Sequence, residues 1–187
     1  MPGEISLAPG LLIAMPQLQD PNFRKAVVLM LEHDERGSFG LVINRPSEAR
    51  LSDLLDGIEI EWKGPINEAA WRGGPVQPET GWILHESIPE LADVDGTLQV
   101  ADDLFLSSAP SALRLLAERP PRHLRFMLGY AGWGPGQLEE ELTAGAWVNA
   151  EASAELLFDT PSSSVWDESL RRMGIDPSAL VPAAGVH

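Results

Sequence analysis

The chain has 187 residues, 28 acidic against 13 basic for a formal net charge of −15, and no cysteine. That length suits one domain able to bury its own core without a staple, and the missing thiols exclude disulfides, thiolate metal centres and cysteine nucleophiles. The charge opposes nucleic-acid phosphates and anionic bilayers, which are bound mainly through Lys and Arg.

Leu11 to Met15 reads as a first strand stopping at Pro16. Its apolar run is far below the roughly 18 residues of a membrane span. It also lacks the basic region that opens a signal peptide, so the expected setting is cytoplasmic, with no membrane contact. Asp20-Pro-Asn-Phe23 reads as a turn or a single helical turn. Ala26–His33 and Ser38–Asn44 read as strands joined by a four-residue loop, Asp34–Gly37, as a hairpin. Leu51–Leu55 reads as a short helix with Ser52 or Asp53 as cap and Gly57 as stop. Residues 58–70 show weak periodicity and read as a surface excursion; Trp71–Pro75 reads as a tight turn. Trp82–Glu86 is a strand, Glu90–Gly96 an acidic loop, and Leu98–Leu106 one broken strand or two short ones.

Ser108 is placed to cap a helix from Pro110 to Arg119, whose Leu113, Leu116 and Ala117 share a face. His123–Tyr130 is a strand, and a glycine-rich turn leads from it into a helix over Gln137–Ala144. Trp147–Val148 and Leu156–Phe158 look strand-like. A last helix spans Ser164–Met173 with Gly174 as its stop, and the tail from Asp176 reads as half-ordered. Neighbouring strands lie too close in sequence for parallel crossovers. The class is therefore α+β with a mixed, mostly antiparallel sheet, in one domain over 1–187.

Gly132-Trp-Gly-Pro-Gly136 between strand and helix has the context of a phosphate loop. Gln137 stands where the dinucleotide fingerprint needs glycine, however, and Glu139, Glu140 and Glu141 would repel phosphate while complementing the helix dipole. A structural turn is the preferred reading. Glu32-His33-Asp34-Glu35 alternates between two strand faces, so no metal is expected there, and no His pair has zinc-helix spacing. No Gly-x-Ser-x-Gly elbow surrounds Ser107 or Ser108. Asn44-Arg45-Pro46 ends an apolar strand; a clamp on an internal carboxylate is preferred for Arg45. Trp71, Trp82 and Trp133 are candidates to line a groove, with core packing as the competing expectation.

Taken in order, Leu11–Pro16, Asp20–Phe23, Glu32-His33, Gly40-Leu-Val-Ile-Asn-Arg-Pro46, Gly73-Gly-Pro-Val-Gln77, Leu84-His85 and Gly129-Tyr-Ala-Gly-Trp-Gly-Pro-Gly-Gln-Leu-Glu139 resemble the YqgE/AlgH family. The set spans nearly the whole chain. The resemblance implies one α+β domain with its sheet partly folded on itself and three to five flanking helices. It implies no established enzymatic activity and no cofactor, and it carries a reputation for transcriptional regulation. Many members have Cys just before the Glu-His pair; here Leu31 occupies that position, so a thiol-based activity is excluded for this chain. The leading expectation is a non-enzymatic binding or regulatory protein acting through protein partners. The alternative is a small-molecule site or enzyme built where His33, Asn44, Arg45, His85, Gln137 and Glu139 converge.

Overall fold

The computed structural model describes residues 7–180. The elements run β1 (Gly10–Ala14), β2 (Val27–Asp34), β3 (Gly37–Val42), β4 (Pro46–Arg50), α1 (Leu51–Asp56), β5 (Ala69–Arg72), β6 (Val76–His85), β7 (Thr97–Ala101), β8 (Leu104–Ser107), α2 (Pro110–Glu118), β9 (Leu124–Trp133), α3 (Gln137–Thr143), β10 (Trp147–Ala150), α4 (Ala154–Asp159) and α5 (Val165–Arg172). The strands form one curled sheet in the order β10-β1-β2-β3-β9-β6-β8-β7, with β5 and β4 branching from β9. Among the described residues, β5 with β9 is the only parallel pair; the rest are antiparallel, so the α+β class and its mostly antiparallel sheet hold.

β9 is where the sheet curls. Its first half, Leu124–Leu128, pairs with β6 and touches β5, while Ala131–Trp133 pairs with β3. Gly129 lies between the halves at φ +76, a conformation that side-chain-bearing residues rarely adopt. The backbone of Gly73 and Gly74 passes so close to Gly129 and Tyr130 that a Cβ on Gly73 or Gly74 would overlap main-chain atoms. Two glycine motifs far apart in sequence thus form one crossing.

Three apolar clusters follow from the curl. Inside it, Ile13, Leu29, Leu41, Leu84 and Met127 pack with Leu157, Trp166 and Leu170 from α4 and α5. Trp166 also donates its indole N–H to the Ala14 carbonyl at 2.7 Å. On the outer face of one half, Leu12, Val28, Met30, Ala131, Trp133 and Trp147 are covered by Leu138 of α3. On the outer face of the other half, Ile83 and Phe126 are covered by Leu51 and Leu55 of α1 and Ala112 and Leu116 of α2.

Several local expectations are corrected. Leu156–Phe158 belongs to α4, which Ser153 caps by accepting from the Leu156 N–H at 3.2 Å; a three-residue apolar run does not separate strand from helix. Ala69–Arg72 forms β5, so the surface excursion ends earlier than expected and Trp71 and Arg72 precede the turn. The polar sequence Pro-Ser-Glu-Ala-Arg does not announce β4; its proline is tolerated because it stands at the strand's first position, and β4 pairs only with β5. β6 starts six residues before Trp82, with a register irregularity between Val76 and Gly81.

The β2–β3 turn is tighter than four residues, since Asp34 pairs directly with Gly37. Ala109, not Ser108, occupies the N-cap of α2, and no side chain caps that helix; Pro110 at its first position needs no N–H partner there. Arg50, rather than Ser52 or Asp53, is the N-cap of α1. The tail forms a 3₁₀ turn over Pro177–Leu180, and the remainder of the expected half-ordered tail lies outside the described residues.

Candidate functional site

The glycine-rich turn resolves into a lock. The Gly134 N–H donates to Gln137 Oε1 at 3.0 Å, and Gln137 Nε2 donates to Glu141 Oε2 at 2.9 Å. Glu141 Oε1 then accepts both the Trp133 and the Trp147 indole N–H groups, at 3.1 and 2.9 Å. Glu141 therefore ties β9, α3 and β10 together through charge-assisted bonds. Phe23 completes the cluster, with ring centroids 6.0 Å from Trp133 and 5.8 Å from Trp147. Gln137 is a member of this lock.

The other expected site residues divide into three places. His33 hydrogen-bonds Ser38 through Nδ1, and its Nε2 lies 3.5 Å from Glu139 on α3. Asn44 accepts from the Val27 N–H at 3.1 Å and donates to the Lys25 carbonyl at 2.9 Å. Arg45 donates to the Pro21 and Arg24 carbonyls, which replaces the carboxylate clamp expected for it. Val27 and His33 are six positions apart on β2, or about 20 Å at strand rise. Asn44 and Arg45 therefore hold the 20–25 turn at the end of the strand opposite His33.

His85 is fully buried on β6. Its Nδ1 faces the Glu86 carbonyl at 2.7 Å, so that nitrogen carries the proton and Nε2 accepts from the Ser107 hydroxyl at 2.7 Å. Ser107 Oγ lies 3.1 Å from Thr97 Oγ1. Burial pushes the His85 pKa down, partly opposed by the Glu86 carbonyl and carboxylate. The neutral ring's contribution to stability is therefore complete above the ordinary imidazole value near 6.5 and is lost as pH falls through the lower folded value. His85→Gln is expected to shrink the drop in Tm between about pH 7.5 and about pH 5.5, measured by thermal melts of parent and variant. Parallel curves would contradict the assignment.

A wide concavity lies elsewhere among the described residues. It is an open cleft of about 930 Å³ at the mouth of the curl, and neither α4 nor α5 contributes to its lining. Its floor is Phe39 of β3, Trp82 of β6 and Tyr130 of β9. The ring centroids lie 5.8 Å (Phe39–Trp82), 5.8 Å (Phe39–Tyr130) and 6.3 Å (Trp82–Tyr130) apart. In the strand register Glu32 stands opposite Phe39, and Phe39 opposite Gly132. Glu32 and Gly132 thus flank the ring on one sheet face, while the His33–Ser38 pair points to the other.

Trp82 and Trp133 line this cleft, but Trp71 packs against the inner core beneath the Arg125 guanidinium, 4.6 Å from its ring centroid. Phe39, Tyr130 and Glu32 are not among the expected site residues His33, Asn44, Arg45, His85, Gln137 and Glu139. Only the three-strand register brings them together.

The AlgH-like family model matches residues 11–178. The chain belongs to the AlgH-like family. It is 47% identical over 183 residues to a UPF0301 protein of Myxococcus xanthus, covering 97% of this chain and 99% of that one. A UPF0301 protein of Photobacterium profundum is 39% identical over 176 residues, with 90% and 92% covered. The solution structure of the AlgH protein from Pseudomonas aeruginosa superposes with a TM-score of 0.76 at 36% identity, covering 95% of each chain. A crystal structure of a Corynebacterium diphtheriae protein gives 0.71 at 25% identity, covering 92% of this chain and 90% of that one.

Within this AlgH-like chain the motif segments sort by job. The Asn-Arg pair fastens the 20–25 turn. The Gly73-Gly74 and Gly129 segments make the crossing. The Gly-Trp-Gly-Pro-Gly-Gln stretch builds the α3 lock. Leu31 is buried in the inner core. No group of three or more His, Asp or Glu able to hold a metal occurs among the described residues, and no helix there is long and apolar enough to cross a membrane.

Proposed function

We propose that this protein is a non-enzymatic binding protein that acts through protein partners, and that the Phe39–Trp82–Tyr130 cleft is where it takes them. The carrying observation is the cleft itself: three partly exposed aromatic rings on the floor of an open concavity of about 930 Å³. Aromatic anchors in concave sites dominate binding energy. The polar side chains with the best catalytic credentials support this reading by being occupied elsewhere: Gln137 in the lock, Arg45 and Asn44 in a turn, and His85 in the core. A regulatory effect on transcription would run through such a partner, because a net charge of −15 disfavours direct contact with phosphates. A cytoplasmic setting belongs to the same reading, consistent with the absence of cysteine.

Gly132 provides the test. A Cβ there meets only ordinary contacts, 3.7 Å from the Tyr130 ring and 3.9 Å from Val76. Gly132→Leu should therefore fold and fill the cleft. Crosslinking and affinity capture at native expression levels should return a reproducible partner set with the parent chain and lose it with Gly132→Leu. No reproducible set, or the same set with the filled cleft, would count against the proposal.

A second reading, a small-molecule or enzymatic site, is favoured by the chain Ser38–His33–Glu139. A ligand screen by thermal shift separates the two, since ligand at 100 times its Kd adds about 2.7 kcal/mol. A shift abolished by His33→Ala but kept by Gly132→Leu would support this second site.

A further inference from the structure

We infer that the cleft takes a basic segment of its protein partner, seating a Lys or Arg head group on the Phe39–Trp82–Tyr130 floor beside Glu32. This rests on the protein-binding reading of the cleft and gives it a ligand class. The floor comes first. Trp82 and Tyr130 meet at 86° and Phe39 and Tyr130 at 73°, so ring faces and edges meet in one cluster. Centroid spacings of 5.8 to 6.3 Å leave no room between the rings, so a ligand sits over the cluster. Aromatic faces carry negative electrostatic potential and attract guanidinium or ammonium groups placed within about 6 Å of them.

The register supplies the rest. Glu32 pairs with Phe39 across the β2–β3 ladder, which puts the two Cβ atoms about 5 Å apart. On the opposite flank Phe39 faces Gly132, which has no side chain to cover the ring. A carboxylate, an aromatic ring and an empty position therefore stand in a row across three strands.

The charges in the lining are unequal in availability. Asp34 already accepts from the Arg36 side chain at 2.9 Å and the Arg36 backbone N–H at 2.8 Å, and this pairing holds its carboxyl below the usual range. Arg36 is in turn neutralised by Asp34. Glu32 is exposed, and its carboxylate makes no hydrogen bond or ion pair among the described residues; it acts on Arg36 only through space, as the weakest of the influences on that guanidinium. Its single negative charge is left to act in the cleft, within a chain whose field already draws cations. An acidic or neutral segment would find the aromatic surface but no complementary charge.

The test uses fluorescence anisotropy with the full chain and three labelled octapeptides: alternating Lys and Gly, the same peptide with its lysines acetylated, and alternating Glu and Gly. The Lys peptide should bind, and acetylation or Glu should each weaken it about tenfold or more, as should Glu32→Lys and Gly132→Leu. Glu35→Lys is the control. It makes the same charge change at an exposed hairpin position outside the cleft lining, and it should stay within about twofold of the parent. Equal losses in Glu32→Lys and Glu35→Lys would mean attraction by bulk charge and would overturn the inference. Undiminished binding of the acetylated peptide, or no binding of the Lys peptide, would overturn it too. If those failures came with a partner captured by the parent and lost in Gly132→Leu, the ligand class would be wrong and the protein-binding reading would stand. Partner capture insensitive to Gly132→Leu would remove that reading as well.

Discussion

Gly74→Ala should melt roughly 6–20 °C below the parent chain, corresponding to a loss of roughly 3–5 kcal/mol in a domain of this size. Two independent costs add. Gly74 sits at φ +155, where a Cβ is strained whatever the surrounding space. That Cβ would also overlap the Tyr130 carbonyl and the Ala131 nitrogen, which are backbone atoms and cannot rotate aside as a side chain can. Strain at a special φ/ψ costs about 1–3 kcal/mol and overpacking about as much again. Against a net stability of roughly 5–15 kcal/mol, the sum is a large fraction. Two other glycines calibrate the claim. Gly136→Ala has the strain without the clash, since nothing lies within 4 Å of its Cβ at φ +75, and should cost about 1–2 kcal/mol. Gly132→Ala has neither and should be close to neutral. Denaturant melts of the three variants give the ranking, and a Gly74→Ala curve overlaying that of Gly132→Ala would refute the crossing.

Glu141→Ala should cost about 2–4 kcal/mol, or roughly 4–16 °C in Tm. The carboxylate is the common acceptor for two indoles and the Gln137 amide, and Trp133 and Trp147 are only 6% and 2% exposed. Removing it leaves two shielded N–H groups without an acceptor, which costs more than the bonds contribute when made. Glu141→Gln keeps an oxygen for the indoles and sets only its amide against Gln137, so it should lose the smaller part. The indole Nε1–H signals of Trp133 and Trp147 should move together in Glu141→Ala and stay near their parent positions in Glu141→Gln. Unmoved signals in Glu141→Ala would show that the lock is not made in solution.

Both predictions concern motifs visible in one dimension, but the structure assigned their roles. The glycine-rich turn presents itself as a ligand loop, and the glutamates after it already argue against phosphate. What the sequence did not reveal is that Gln137 turns back to the Gly134 N–H and that Glu141 reaches two tryptophans from different strands. Gly73-Gly74 and Gly129 give the same lesson. Each is recognisable as a special backbone position, yet the reason is a contact between segments more than fifty positions apart.

Elements with a strong local period came out in place: the β2–β3 hairpin, the α2 helix with its buried Leu116 and Ala117, and α5, which ends at Arg172 just before Gly174 at φ +79. Those with a weak period did not. β4 and β5 are short, and pairing rather than propensity makes them strands. α4 is a helix because Ser153 caps it and the inner core receives its Leu156, Leu157 and Phe158.

Composition, charge and local period were thus enough for the α+β class and the exclusion of thiol chemistry, while the order of motifs along the chain carried the resemblance to the AlgH-like family. These depend on near neighbours and on totals, and a chain carries both without folding. The curl at Gly129, the separation of His33 from Asn44, Arg45 and His85, and the row Glu32–Phe39–Gly132 were decided by the tertiary structure alone. Each depends on register between strands distant in sequence, where a shift of one residue would turn every side chain to the other face.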